Sequence, residues 1–293
     1  MSNVCNCGGS LGNTGTPTCV NILGVTRQVV LVPLVADDGT PNVVGAGDTL
    51  DASYFNDLVN NLADPSKRWY PTGLLKNITL DKDDPVYKTW DDESVTFIHD
   101  GIRKFTGIVV KGTPQQVAAF NEARCGQWGV FHIDNEGNLW GVVNSDGDLA
   151  PIPVDAGSAN AKFVYTTDKD IQQIMLAWNY SVTVDDSTLG MVAASEINGI
   201  NLVNLRGLID ATIEIVSVHA TSAVIKIKTA FGTIVNPTMV KGLLTADFKS
   251  AIGGTAGKLY DVTGSANVSI SSLSESNGTY TIGYSSQTTG HVL

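Results

Sequence analysis

Between Ser94 and Val154 the chain is written as short apolar runs, SVTFIH, IRKFTGIVV, GVFHID, NLWGVV and LAPIPV, each set off by polar residues or a turn signal. That punctuation makes antiparallel hairpins the main way such a chain can fold. The turn signals are Asp100-Gly101, Asn135-Glu136-Gly137 and Asp146-Gly147. Asp-Gly is the strongest short hairpin signal, because a type I′ turn needs positive φ at both central residues. SVTFIH and IRKFTGIVV are therefore predicted to pair across Asp100-Gly101. Upstream, VVLVPLV (Val29 to Val35) reads as another strand. Its Pro33 cannot donate to a ladder, which predicts an edge strand or a bulge.

Helix-period text is scarce. Asp51 is placed to cap a helix whose stripe is Phe55, Leu58, Val59 and Leu62, and Asp64-Pro65 stops it. Thr113-Pro114-Gln115-Gln116 combines an N-cap, a proline at the first helical position and a glutamine three residues on. That second helix turns Val117 and Phe120 inward and ends near Cys125-Gly126. A third helix is predicted to open at Thr167 with Asp170 three residues on, to bury Ile171, Ile174, Met175 and Trp178, and to pass into the strand YSVTV. Residues 66–93 hold few apolar runs and an acidic cluster, Asp81, Asp83, Asp84, Asp91, Asp92 and Glu93. The expectation there is a long exposed excursion with one or two short strands.

The text changes after Gly207. ATIEIVSVHA, SAVIKIKTAFG, ANVSISSLSES and GTYTIGYSS largely alternate between Gly, Asn and Ser turns, which reads as an immunoglobulin-like sandwich lacking the usual cysteine pair. Charge changes at the same place. From Ile209 onward Asp210, Glu214, Asp247, Asp261 and Glu275 balance Lys226, Lys228, Lys241, Lys249 and Lys258, so the whole net charge of −11 sits in residues 1–208. All five tryptophans lie there as well. A chain of 293 residues is comfortable as two domains. The predicted organisation is mainly β (α+β): an arm over 1–20, a barrel-like antiparallel domain with short flanking helices over 21–208, and the sandwich over 209–293.

A strongly acidic chain is a poor candidate for reading nucleic acid through its phosphates. No stretch reaches the roughly 18 apolar residues of a membrane helix, and MSNVCNCGGS lacks the basic and apolar regions of a secretory signal, so assembly in a cytosol is the expectation. Cys5, Cys7 and Cys19, with Cys125 or His132 as a fourth ligand, raise a zinc site; structural zinc prefers paired knuckles of wider spacing, and free thiols or disulfides are the plainer readings. Gly8-Gly9-Ser10-Leu11-Gly12 matches a nucleophile elbow by letter but has no strand before it. Gly253 to Lys258 imitates a phosphate loop, yet Ile252 and Leu259 stand where Gly and Ser or Thr belong. Asp134 to Asn138 and Asn144 to Asp148 lack the alternating oxygens and the distal glutamate of a calcium loop. The acidic cluster at 81–93 reads as a solvated loop, a cation contact or a subunit contact. None of His99, His132, His219 and His291 neighbours a nucleophile in the sequence, and no cofactor motif appears. The expectation is a protein that is not an enzyme.

CNCGGSLGNTGTPTCVNILGVTRQVVLVPLV, KRWYPTGLLKNI and FIHDGIRKFTGIVVKGTPQQVAAFNEARCGQWGVFHIDNEGNLWGVV together resemble structural proteins of tailed phages that infect Bacteroidota. The tail of the chain, with VKGLLTADF among alternating strands, resembles the Ig-like domains appended to such virion proteins. The likeness is strongest to tail tube subunits. It implies hexameric rings stacked into a tube through residues 66–93 and the N-terminal arm, contacts with other tail or head proteins, an acidic lumen that passes genomic DNA without binding it, and a weak glycan contact by the outer domain. A capsid decoration or head-fibre protein, and a surface carbohydrate-binding adhesin, are the alternatives.

Overall fold

Strand β1 (Thr26–Pro33) lies inside a sheet with both faces covered, and this is why its sequence from Val29 to Pro33 is continuously apolar rather than alternating. The computed structural model describes residues 23–61, 64–110, 112–169, 171–219, 221–232, 237–248, 258–260 and 267–284. Two compact units divide the chain, Met1–Leu208 and Ile209–Leu293. The described residues are mainly antiparallel β-structure, and no sheet closes into a barrel.

After β1 the first unit continues with helix α1 (Ala52–Val59), β2 (Tyr70–Pro71), β3 (Leu75–Lys82), β4 (Val86–Thr89), β5 (Val95–His99), β6 (Arg103–Val110), helix α2 (Pro114–Glu122), β7 (Trp128–Asp134), β8 (Leu139–Val143), β9 (Leu149–Ala150), β10 (Ile152–Pro153), β11 (Asn160–Val164), β12 (Gln173–Asn179) and β13 (Leu189–Val192). One sheet runs β13-β8-β7-β1-β2, with β9 on β8 and β10 on β7; a second runs β11-β12-β6-β3. Alternation along β1 splits its side chains between two cores. Val29 and Leu31 join Val130, Trp140, Phe105, Ile174, Leu176 and Trp178 in a cluster drawn from both sheets. Val30 and Val32 join Phe131, Ile133, Phe55, Val59 and Trp69 on the other face. Trp69 stacks on Phe131 at 4.9 Å and meets Phe55 edge-on at 5.7 Å. Each such side chain contributes about 1.5–3 kcal/mol by leaving water.

β1 is a central strand, not an edge. Its Pro33 pairs only with Trp128 of β7, while β2 ends opposite Val30 and Leu31, so no ladder on the other side needs the missing N–H. The register shift in β1 lies between Thr26 and Gln28, away from the proline.

The caps of the first two predicted helices are formed. The Asp51 carboxylate accepts from Tyr54 N–H at 2.9 Å, and Phe55 and Val59 of α1 are buried; Leu62 lies outside the described residues. Thr113 and Gln116 complete a reciprocal capping box on α2, whose Val117 and Phe120 pack half-buried on the first core. A 3-10 turn at Ala123–Cys125 ends it at Gly126. The Asn121 amide both donates to Ala161 O and accepts from Ala161 N–H, each at 3.1 Å, and Arg124 donates to Ala159 O. These side chains cover the outer edge of β11 as a neighbouring strand would.

The third helix is not formed; β12 stands in its place. Ile171, Ile174, Met175 and Trp178 have helical spacing, but Ile174, Leu176 and Trp178 have strand spacing and are the residues buried. Ladders to β6 and β11 decide between the two periods, leaving Ile171 and Met175 exposed. Asp170 lies outside the described residues. YSVTV is not a strand either: beyond a single bridge from Tyr180 to Val154 it turns and leads to a 3-10 turn at Asp186–Thr188. The turns after β7 and β8 carry Gly137 at φ 94° and Gly147 at φ 87°. In them Asp134 and Asn144 accept backbone N–H groups, so these oxygens serve the turns.

The second unit contains β14 (Ala211–His219), β15 (Ser222–Gly232), β16 (Pro237–Met239), β17 (Lys258–Tyr260), β18 (Asn267–Ser276) and β19 (Thr279–Tyr284). Among the described residues they make one antiparallel sheet, ordered β14-β15-β19-β18-β17 with β16 on β15. Asn277 (φ 50°) and Gly278 (φ 74°) turn β18 into β19, the backbone a type I′ hairpin demands. Ala223, Ile225, Tyr280, Ile282 and Tyr284 form its core, covered by Val240, Leu243 and Phe248. The Tyr280 hydroxyl donates to Val240 O at 3.0 Å and accepts from Leu243 N–H at 3.3 Å, fastening that cover.

Candidate assembly surface

Strands β3 and β6 run out of the four-stranded sheet and continue as a two-stranded arm over residues 83–102. β3 pairs with β6, the ladder is interrupted at 83–85 and 100–102, and β4 then pairs with β5. The hairpin predicted across Asp100-Gly101 is therefore absent, since β5 and β6 lie end to end along one side of the arm. Gly101 has another reason to be glycine. A Cβ there would stand 1.6 Å from Asp83 O on the facing strand. The Asp83 N–H to Ile102 O bond, 3.0 Å, passes beside it.

The root of the arm is held by charge. Lys104 meets Asp83 at 2.7 Å, Lys82 meets Asp186 at 3.0 Å, and Arg103 donates to the same Asp186 carboxylate. The Lys82 hydrogen bond first, with help from Arg103, holds the Asp186 carboxyl below the usual carboxylate range. One carboxylate thus ties down both strands of the root.

Beyond the root every residue of β4 and β5 is exposed. The tip turns through Trp90 to Ser94, with Glu93 N–H donating to Trp90 O and Glu93 itself at φ 64°. Asp92 accepts from both the N–H and the hydroxyl of Ser94, which pulls its carboxyl pKa down. One face of the ladder is stitched together: Trp90 Nε1 donates to Thr96 Oγ1 at 2.9 Å, and Lys88 Nζ sits 4.1 Å over the Trp90 ring. On the other face Tyr87 and Phe97 are direct cross-strand partners, edge to face at 5.8 Å, beside Val95. Tyr87, Phe97 and Val95 are 56%, 53% and 61% exposed. A lone two-stranded ribbon is marginal in water. Aromatic residues held in register yet uncovered make this face the candidate contact surface.

The acids named from the sequence are thereby divided. Asp83 belongs to the root ion pair, Asp92 to the tip turn, and Asp81, Asp84, Asp91 and Glu93 stand exposed along the arm. Sequence reasoning missed Tyr87, Val95 and Phe97, although the alternation in VYKT and SVTFIH about an acidic turn was the available signal.

Other candidates resolve into structural roles. His132 is fully buried; its Nδ1 lies 3.0 Å from Thr26 Oγ1, its Nε2 bonds the Tyr180 hydroxyl, and its ring stacks on Trp140 at 4.5 Å. Burial above all, then the Arg103 charge, lowers its pKa to about 3, so it is a neutral core residue and not a spare ligand. Cys5, Cys7 and Cys19 lie outside the described residues, as do the glycine-rich segments at 8–12 and 253–257; Cys125 is exposed and free. Among the described residues no three His, Cys, Asp or Glu side chains gather as a metal site. A cavity of about 280 Å³ beside Val44 and Leu149 contains Asp48 and Glu196, but Asp48 accepts from Tyr54 and Gly45 and Glu196 from Ala193. Among the described residues no helix is long and apolar enough to cross a membrane.

No protein-family model matches the chain, and no curated protein or solved structure is significantly similar to it.

Proposed function

We infer that this chain is a non-enzymatic structural subunit of a tailed-phage virion, a tail tube protein that polymerises with copies of itself. The observation that carries the reading is the 83–102 arm, whose ladder holds Tyr87, Val95 and Phe97 in fixed register with nothing among the described residues to cover them. Two further observations support it. The first unit presents open sheets whose end strands include β3, and unpaired edges are stable in soluble proteins when they are covered, charged or shared. The whole net charge of −11 belongs to residues 1–208, which suits the wall of a conduit that must repel phosphates. Stacked hexameric rings satisfy all three, with residues 209–293 as an appended domain able to make a weak glycan contact.

Electron microscopy of the purified full chain tests the reading. Tubes of constant diameter are expected. A population of monomers at every concentration tried would refute it, and discrete trimers would move the chain to the decoration or head-fibre class.

A further inference from the structure

We propose that the arm of one copy seats its Tyr87–Phe97 face in a groove beside α2 of a second copy. This rests on the self-assembly reading and names the two surfaces involved. The groove, about 450 Å³, is lined by Leu31, Tyr70, Ala119, Phe120, Trp128 and Ile174 among others. It is rigidly framed. Trp128 Nε1 donates to Ala123 O at 2.8 Å, Tyr70 meets Trp128 edge-on at 5.6 Å, and the capping box fixes the start of α2. Such a slot suits aromatic anchors, which bring large buried area at small entropic cost.

Charge selects the arm as occupant. Two cations stand beside the groove: Arg68 lies 4.5 Å over the Tyr70 ring, and Arg124 donates to Ala159 O, a lining residue. Among the described residues neither has a carboxylate partner. The arm bears exposed Asp84 just before β4 and exposed Asp91 and Glu93 in the tip turn. Apolar face to apolar groove and acids to arginines is the complementarity that steers and orients an encounter. Donor and acceptor are different surfaces of one chain, so the contact is heterologous. Each copy gives one arm and receives one, and such contacts propagate as rings or filaments instead of stopping at a dimer.

Complementation tests it. Tyr87→Ser with Phe97→Ser makes an arm variant; Ala119→Glu, at an exposed helix position, places a carboxylate in the groove. Each alone is expected to need a roughly tenfold or greater concentration to assemble. Mixed in equal amounts, they should form one-to-one heterodimers by sedimentation, since one intact arm and one intact groove remain. Wild-type assembly alongside an unimpaired Ala119→Glu, or a mixture that stays monomeric, overturns the arm-in-groove contact and leaves the assembly reading standing. A wild type that never assembles overturns both. Should Ala119→Glu fail to fold, Phe97→Cys in one population and Ala119→Cys in the other, with the four native cysteines changed to serine, give a second readout. An interchain disulfide is expected, and its absence in assembled material refutes the contact.

Discussion

Strand β1 and the arm strands β4 and β5 draw on the same residue types and end in opposite surroundings. In β1, Val29, Val30 and Val32 are wholly enclosed because sheets and helix supply cover on both faces. In the arm, Tyr87, Val95 and Phe97 face water. An apolar, β-branched and aromatic sequence thus specifies a strand but not its burial. Burial depends on whether the same chain provides the covering layer, and where it does not, a partner is the natural complement.

The sharpest way to break this contrast is to truncate one aromatic in each place. Phe131→Ala should cost about 3–5 kcal/mol in urea denaturation, whereas Phe97→Ala should change monomer stability by less than about 0.5 kcal/mol and act on assembly instead. Equal losses would mean that the arm is packed within its own chain. Acid titration separates the regions next. An unfolded imidazole titrates at ~6.5, while the buried His132 is held at about 3. The unfolded state therefore takes up the proton first, so stability is whole above that upper value and declines as pH falls toward the lower one, by on the order of 5 kcal/mol. Replacing His132 with Gln should flatten this part of the profile relative to wild type, and Phe97→Ala should leave it unchanged. A smaller effect, about 1–3 kcal/mol from overcrowding, is expected for Gly101→Ala, visible as faster amide exchange in 83–102 with the core unaffected. Protection there equal to wild type would remove the steric role given to Gly101. Last, Asp186→Asn should loosen the arm root by less than about 1 kcal/mol and reduce the salt sensitivity of its exchange, with the Lys104–Asp83 pair supplying the remainder. A salt response equal to that of wild type would remove the role given to Asp186.

These contrasts also mark what could be read before folding. α1 and α2 were legible because Asp51, Thr113 and Gln116 act locally: a cap needs only its own first turn. The turns at Gly137 and Gly147 were legible for the same reason. β12 was misread because Ile174 and Trp178 satisfy both periods, and only its neighbours β6 and β11 choose between them. Asp100-Gly101 and Asn277-Gly278 look alike as dipeptides, yet only the second makes the turn. At the first, the demand on glycine comes from a backbone distant in sequence, Asp83. Of the candidate surface only Tyr87 falls in the exposed excursion expected over 66–93, where Trp69 and Leu75 are in fact buried, and Val95 and Phe97 belong to the hairpin expected next to it. Its apolar face was not legible, since solvent exposure is decided by what fails to pack.

The close approach of Gly101 to Asp83 O sits at the base of a long reach. About eight residues separate it from the tip, roughly 25 Å of extended chain. A tilt of ~10° at that base would carry the tip ~4 Å, about the spacing between neighbouring strands. Where the arm points is therefore set over a few residues, and a methyl group at position 101 would have to displace the backbone of Asp83.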